Sequence, residues 1–215
     1  MRPVSIISAL ILLHRTFRSL PAKARLHVFI RFWTAPLLQV AREVPRGALV
    51  LDLGAGHGAV AALVRGAGAR RVVAVEPDRR KMIKPVADVD CVIGYDNCIR
   101  GAFDAVVIVD VLYKIPLAEW DALLARVRGR LRPGGIVIIK EQDPTARVKN
   151  GWNRLQEWLV SLAGLTLGEA FSYEAPSDFL ARLERAGFTQ PRARRIDLFY
   201  PHPHILYTAR SAADR

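Results

Sequence analysis

Leu49-Val50-Leu51-Asp52-Leu53-Gly54-Ala55-Gly56-His57-Gly58, running into Ala59-Val60-Ala61-Ala62-Leu63-Val64, is the stretch on which the fold turns. A short apolar run bounded by turn residues reads as a buried strand, and the alanine-rich run after the glycines reads as a helix. Clustered glycines let the backbone approach a ligand where a Cβ would collide. The helix N-terminus beyond them offers unpaired N–H groups to a carboxylate or phosphate. A second strand, Arg71-Val72-Val73-Ala74-Val75, ends at Glu76. An acid at that place suits a bidentate hydrogen bond to a ribose diol.

The glycines alone leave the ligand open, because Gly54, Gly56 and Ala59 also satisfy the dinucleotide pattern G-x-G-x-x-G/A. Asp52 separates the readings. An acid just before the turn repels a pyrophosphate but attracts a cation, such as the methionine ammonium of S-adenosylmethionine. At this point the chain resembles the class I S-adenosylmethionine-dependent methyltransferases. LDLGAGHG at 51–58 is similar to their first motif and VVAVEPD at 72–78 to their second-strand acid. FDAVVIVDVLYKIP at 103–116 is similar to their fourth-strand segment, and LLARVRGRLRPGGIVIIKE at 123–141 to their helix, turn and fifth strand. The likeness runs in order over about residues 45–143.

The resemblance implies S-adenosyl-L-methionine as cofactor, with contacts at matching positions. Asp52, Gly54, Gly56 and Gly58 would surround the methionine moiety, and Glu76 would hold the ribose hydroxyls. Asp96, in Gly94-Tyr95-Asp96, would face the adenine amino group; its other reading is an ordinary turn residue. Asp110, Val111 and Leu112 would line the cofactor near the sulfonium, with helix capping as the alternative for Asp110. The catalytic candidates are Glu141, Asp143, Tyr113 and His204. Glu141 and Asp143 suit either a general base or an anchor for the next helix, which is expected around Lys149, Trp152 and Trp158. Tyr113 suits a lid or core packing, and His204, between prolines with His202, suits a base or a loop residue. His14 and His27 read as surface residues, and His57 as positioning backbone. No metal-ligand spacing is present, and Cys91 and Cys98 form neither a CxxC pair nor a disulfide framework.

Strands are expected near 49–52, 71–76, 89–93, 104–110 and 136–141, with a helix over Leu117–Leu131. A helix at 177–186, capped by Ser177, and strands at 188–196 and 204–209 follow. Such alternation implies a mostly parallel α/β sheet covered on both faces. The resemblance makes it Rossmann-like and seven-stranded, with the last strand antiparallel. Asp52, Glu76, Asp96, Asp110 and Glu141 then share the sheet edge where ligands bind, a local reversal of sign in a chain of 215 residues and net charge +12.

Residues 1–44 are expected to form a helical cap, and 45–215 the cofactor-binding domain. Ile6, Leu10, Leu13, Phe17 and Leu20 recur at helical spacing, as do Leu26, Phe29, Ile30 and Trp33; Pro21 and Pro36 end the two helices. The first run is too short to span a bilayer and lacks a signal-peptide cleavage site. Arg2, Arg15, Arg18, Lys23, Arg25, Arg31 and Arg42 all precede the first acid, Glu43. A basic amphipathic helix lies in an anionic membrane surface or packs on its own protein. The expectation is therefore a cytoplasmic methyltransferase of a small-molecule or lipid-like acceptor, peripheral to the inner face of a membrane. RNA methylation, nicotinamide-dependent oxidoreduction and non-catalytic cofactor binding are the alternatives.

Overall fold

Alternating apolar residues give each central strand two buried faces, and helices cover both. The computed structural model describes residues 5–82, 86, 88–143 and 172–213. Its strands are β1 (Leu49–Leu53), β2 (Arg71–Glu76), β3 (Asp90–Ile93), β4 (Phe103–Val109), β5 (Leu131–Gln142), β6 (Phe188–Arg195) and β7 (His204–Ser211). The helices are α1 (Ile6–Phe17), α2 (Ala22–Thr34), α3 (Leu37–Glu43), α4 (Ala59–Gly66), α5 (Trp120–Gly129) and α6 (Pro176–Arg185). They surround a seven-stranded sheet ordered β3-β2-β1-β4-β5-β7-β6. β1 to β5 are parallel, and β7 runs antiparallel to both β5 and β6. Strand order reverses between β1 and β4, which opens a crevice at their C-terminal ends.

Val50, Val72, Ala74, Ala105 and Val107 face a core shared with α1 to α4. Leu51, Leu53, Val75, Val106 and Ile108 face the opposite core, built with Trp120, Leu124, Phe179 and Leu183 of α5 and α6. Every residue of α4 from Ala59 to Val64 is buried because α1 and α3 pack over it.

Several expectations change. α3 was not anticipated, since its seven residues are too few for a periodic signal. β5 extends back through the expected Pro133-Gly134-Gly135 turn, which is absorbed as a register shift opposite Phe103 and Ala105. Ser177 does not cap α6: Pro176 starts the helix and Ala175 is the capping position. The helix expected around Lys149, Trp152 and Trp158 lies outside the described residues.

The expected stripe of α1 is buried from Leu13 through Phe17 to Leu20, whereas that of α2 is largely exposed. α1 buries Ala9, Leu13 and Phe17 while Ile6 is exposed. α2 buries Val28 and Phe32, leaving Leu26, Ile30 and Trp33 on the surface. Among the described residues no helix is long and apolar enough to cross a membrane.

Candidate active site

The crevice at the β1/β4 reversal encloses a cavity of about 850 Å³, in the range that holds a cofactor or drug-sized ligand. Its floor is the glycine turn and the ends of β1, β2 and β4; α2 supplies His27, Val28 and Arg31 from above. Of the expected cofactor residues, Asp52, Gly54, Gly56, Glu76, Asp96, Asp110 and Val111 line it. Gly58 and Leu112 are not on its wall. Gly58 instead begins α4, in the left-handed region at φ 81°, and Leu112 is fully buried behind the β4 turn.

The turn must contain Gly54. Its φ is 73°, and a Cβ there would overlap the Val111 side chain. Its N–H and that of Ala55 donate to the Val75 carbonyl at 2.8 and 3.0 Å, and the Gly56 N–H donates to Glu76 Oε2 at 2.8 Å. Glu76 thus clamps the turn from the end of β2, while its Oε1 accepts the Asp78 N–H at 3.1 Å and lies 3.7 Å from Lys81 Nζ.

Asp52 is 1% exposed, and neither of its carboxylate oxygens has a hydrogen-bond partner. Burial pushes its pKa up to about 7; Arg31 and the nearby Ala61 N–H, which falls short of hydrogen-bond geometry, oppose the rise, and Glu76 adds to it. An orphaned acid at full burial costs stability unless a cation satisfies it.

Asp110 ends β4 in the left-handed region at φ 56°, where Asp is among the tolerated residues. It does not cap a helix. Its Oδ2 accepts from Arg31 of α2 at 2.5 Å and its Oδ1 from Lys140 of β5 at 2.6 Å. Burial pushes the Asp110 pKa up, but Lys140 and Arg31 outweigh it and hold the carboxyl below the ordinary range. Lys140, only 1% exposed, is itself lowered because burial exceeds the help from Asp110. Neither cation was anticipated as part of the site.

The acids do not form the unbalanced negative edge expected. Asp96 is held by Arg126 at 2.5 Å, Glu76 faces Lys81 and Asp110 has two cations. Arg31, Arg80, Lys81 and Lys114 also line the cavity. His57 of the turn stands 5.2 Å from His27, ring centre to ring centre. Burial, followed by neighbouring positive charge, holds both imidazoles below their ordinary pKa.

Glu141 does not line this cavity: adjacent strand residues alternate sides, and it is its neighbour Lys140 that turns to Asp110. Its Oε1 accepts the Val111 and Leu112 N–H groups at 3.0 and 2.8 Å, and its Oε2 is buried without a partner. Burial and then Asp110 raise its pKa to about 8. It lines a separate recess of about 20 Å³ with Trp120 and Tyr173. Tyr113 borders both spaces and stacks on Tyr173 at 6.3 Å.

Asp143, 2% exposed, is bound to Arg195 of β6 at 2.8 Å. His204 places Nε2 2.9 Å from the Thr34 carbonyl, so Nε2 carries the proton and Nδ1 is buried without a partner. Burial and then Lys140 lower the His204 pKa to about 4. Neither residue lines the cavity. Among the described residues no group of His, Cys, Asp and Glu could hold a metal ion.

Glu141 has a decisive pair of variants. In the protonated carboxyl, one oxygen accepts both N–H groups, and the amide of Glu141→Gln reproduces that. Glu141→Gln is therefore expected to stay within about 1 kcal/mol of the parent in urea denaturation, with turnover retained. Glu141→Ala orphans both donors and is expected to lose about 2–3 kcal/mol. Loss of turnover in Glu141→Gln at unchanged cofactor affinity would instead make it a base.

A family model described as a methyltransferase domain matches residues 24–190. The chain belongs to this family, the S-adenosylmethionine-dependent methyltransferases of class I. No curated protein matches its sequence. Among solved structures it is similar to 1,6-didemethyltoxoflavin-N1-methyltransferase of Burkholderia thailandensis, bound to that substrate and S-adenosylhomocysteine. The two share 19% identity over 99% of this chain and 91% of that one, with a TM-score of 0.63. Human N-acetylserotonin methyltransferase in complex with S-adenosylmethionine is 18% identical over 99% of this chain and 61% of that one, TM-score 0.64. Magnesium protoporphyrin IX methyltransferase of Synechocystis with S-adenosylhomocysteine is 17% identical over 99% and 90%, TM-score 0.58. At these identities the likeness is one of fold.

Proposed function

We propose that the chain transfers a methyl group from S-adenosylmethionine to a small-molecule or lipid-like acceptor. The observation that carries this reading is Asp52, buried beside the glycine turn with both oxygens unpartnered. The cofactor's ammonium would satisfy it, whereas a nicotinamide dinucleotide would bring a pyrophosphate against it. Lys81 and Lys114, also on the cavity wall, offer counter-charge to the cofactor's carboxylate. Glu76 retains acceptor capacity toward the ribose hydroxyls after clamping Gly56, and Asp96, fixed by Arg126, borders the adenine end.

S-adenosylmethionine supplies a methyl group on a positively charged sulfur that is already a good leaving group. What the chain adds is placement, which can contribute about 7–11 kcal/mol to such a step. Arg31 and Asp110 hold α2 over the cavity, and Tyr113 stands at its border. Glu141, Asp143 and His204 then act as supports: the first for the β4 turn, the second for β6, the third for the end of α2.

Calorimetric titration tests the reading. S-adenosylmethionine and S-adenosylhomocysteine are each expected to bind at a ratio of one per chain, and NAD not to bind. Binding of NAD with no response to S-adenosylmethionine would overturn it.

A further inference from the structure

α2 is a helix with two working faces. His27, Val28 and Arg31 look into the cavity, while Leu26, Ile30 and Trp33 are 61%, 50% and 58% exposed. Those three stand at the i, i+4, i+7 spacing of one stripe. The stripe has company. Ile7 and Ile11 of α1 are 72% and 48% exposed, and in the β6–β7 connection Leu198 and Phe199 are 73% and 95% exposed. That connection is fastened next to Trp33: His204 meets the Thr34 carbonyl at 2.9 Å, and Gln39 of α3 donates to the Ile196 carbonyl at 3.3 Å. Bulky apolar side chains at such exposure on neighbouring elements mark an interaction surface rather than chance.

The charge around this surface selects its partner. No acid occurs before Glu43 and the β6–β7 connection carries one, Asp197, whereas Arg15, Arg18 and Lys23 are exposed on or between α1 and α2. A second copy of the chain would bring like charges together in a protein of net charge +12. Nucleic acid would satisfy the cations and could stack on Trp33 and Phe199, but it would leave Ile7, Ile11, Leu26, Ile30 and Leu198 without apolar cover. An anionic bilayer satisfies both: apolar side chains enter the acyl boundary, Trp33 sits at headgroup depth, and Arg and Lys reach the phosphates.

We propose that α1, α2 and the β6–β7 connection dock this protein in the plane of an anionic lipid surface. Docking sets α2, the roof of the cavity, against the membrane by its outer face, while His27 and Arg31 keep to the cavity side. Only the use of that placement, delivery of a lipid-like acceptor, rests on the methyltransferase reading; the docking itself does not.

The test is co-sedimentation of the full chain with vesicles of phosphatidylglycerol and phosphatidylcholine in equal parts, against phosphatidylcholine alone. The parent is expected to sediment with the first and stay in solution with the second. Ile30→Glu/Phe199→Glu replaces one half-exposed and one almost fully exposed side chain, neither of which lines the cavity. It is expected to weaken sedimentation by at least about tenfold with the thermal transition and S-adenosylmethionine titration unchanged. Trp33→Phe is expected to keep binding but lose the blue shift of tryptophan emission that vesicles induce in the parent. A parent that stays in the supernatant overturns docking, as does an undiminished Ile30→Glu/Phe199→Glu variant. Displacement of bound vesicles by single-stranded RNA would assign the surface to nucleic acid instead. Failure of docking with normal cofactor binding spares the methyltransferase reading, and docking without cofactor binding overturns that reading alone.

Discussion

Lys140→Met is expected to destabilise the protein by about 3–5 kcal/mol, because removing one partner of a buried ion pair leaves the other uncompensated. For a chain of this size that corresponds to a fall in Tm of roughly 10 °C. Lys140 is fully buried and bonds Asp110 at 2.6 Å, so methionine keeps the volume and removes only the charge. Asp110 would then depend on Arg31 alone, at 2.5 Å from the half-buried α2 side. Adding Asp110→Asn to Lys140→Met should restore part of the loss, since Asn also tolerates φ 56° and needs no counter-charge. The two effects should therefore fall short of additivity. Acid titration provides an independent sign. The folded-state pKa of Asp110 lies below its unfolded value, so its contribution is present above about pH 3.9 and is lost as pH falls through the depressed value. In Lys140→Met that depression shrinks and the acid transition should move to higher pH. An additive pair, or an unmoved acid transition, would mean that Lys140 is held by packing rather than by Asp110.

How much of this was legible in the sequence depended on how local each cause was. The strand, glycine turn and helix at 49–64 announce themselves because Gly54 and Gly58 need left-handed backbone and their neighbours are apolar. Asp52 and Glu76 follow from position at strand ends. Lys140 was hidden in an apolar strand, and its partner lies 30 residues away. A signal existed: a lysine following Ile138 and Ile139 in a strand buried on both faces needs an acid, and Val109 is its register partner, next to Asp110. Arg31 was harder, being 79 residues from Asp110 with nothing local to connect them. The same limit applied to α2. Periodicity identified Leu26, Phe29, Ile30 and Trp33 as one stripe but left open whether it meets a membrane or the protein's own core, and the core below α2 took Val28 and Phe32 instead. Periodicity finds a face; only the rest of the fold decides which way it turns. Glu141 shows the converse, since strand alternation alone sets it on the opposite side from Lys140.

S-adenosylmethionine affinity is expected to fall roughly tenfold for each pH unit below about 6, a slope set by one proton that must leave Asp52. The free protein holds that carboxyl at a pKa of about 7 because burial disfavours its charge. A bound ammonium favours the charged form, so the ligand competes with the proton and the slope appears on the acid side. On the alkaline side the cofactor's own amino group loses its proton near about pH 8, and affinity should fall again. A narrow optimum between these limits follows. The same burial has a consequence without ligand. Asp52 has a folded pKa above its unfolded value, so the unliganded protein should lose stability as pH rises from about 4 toward 7, by as much as roughly 4 kcal/mol from this group. Cofactor should restore most of it. Asp52→Asn separates the effects: it keeps the shape, abolishes the acid limb of the affinity profile, and weakens binding at neutral pH. It also removes the ionisation penalty, so the unliganded variant should match or exceed the parent in stability at pH 7. Calorimetry across the pH range, with denaturation of both proteins without ligand, checks each part. An acid limb that persists in Asp52→Asn would assign that proton to another group, and the cation would have to be held elsewhere in the cavity.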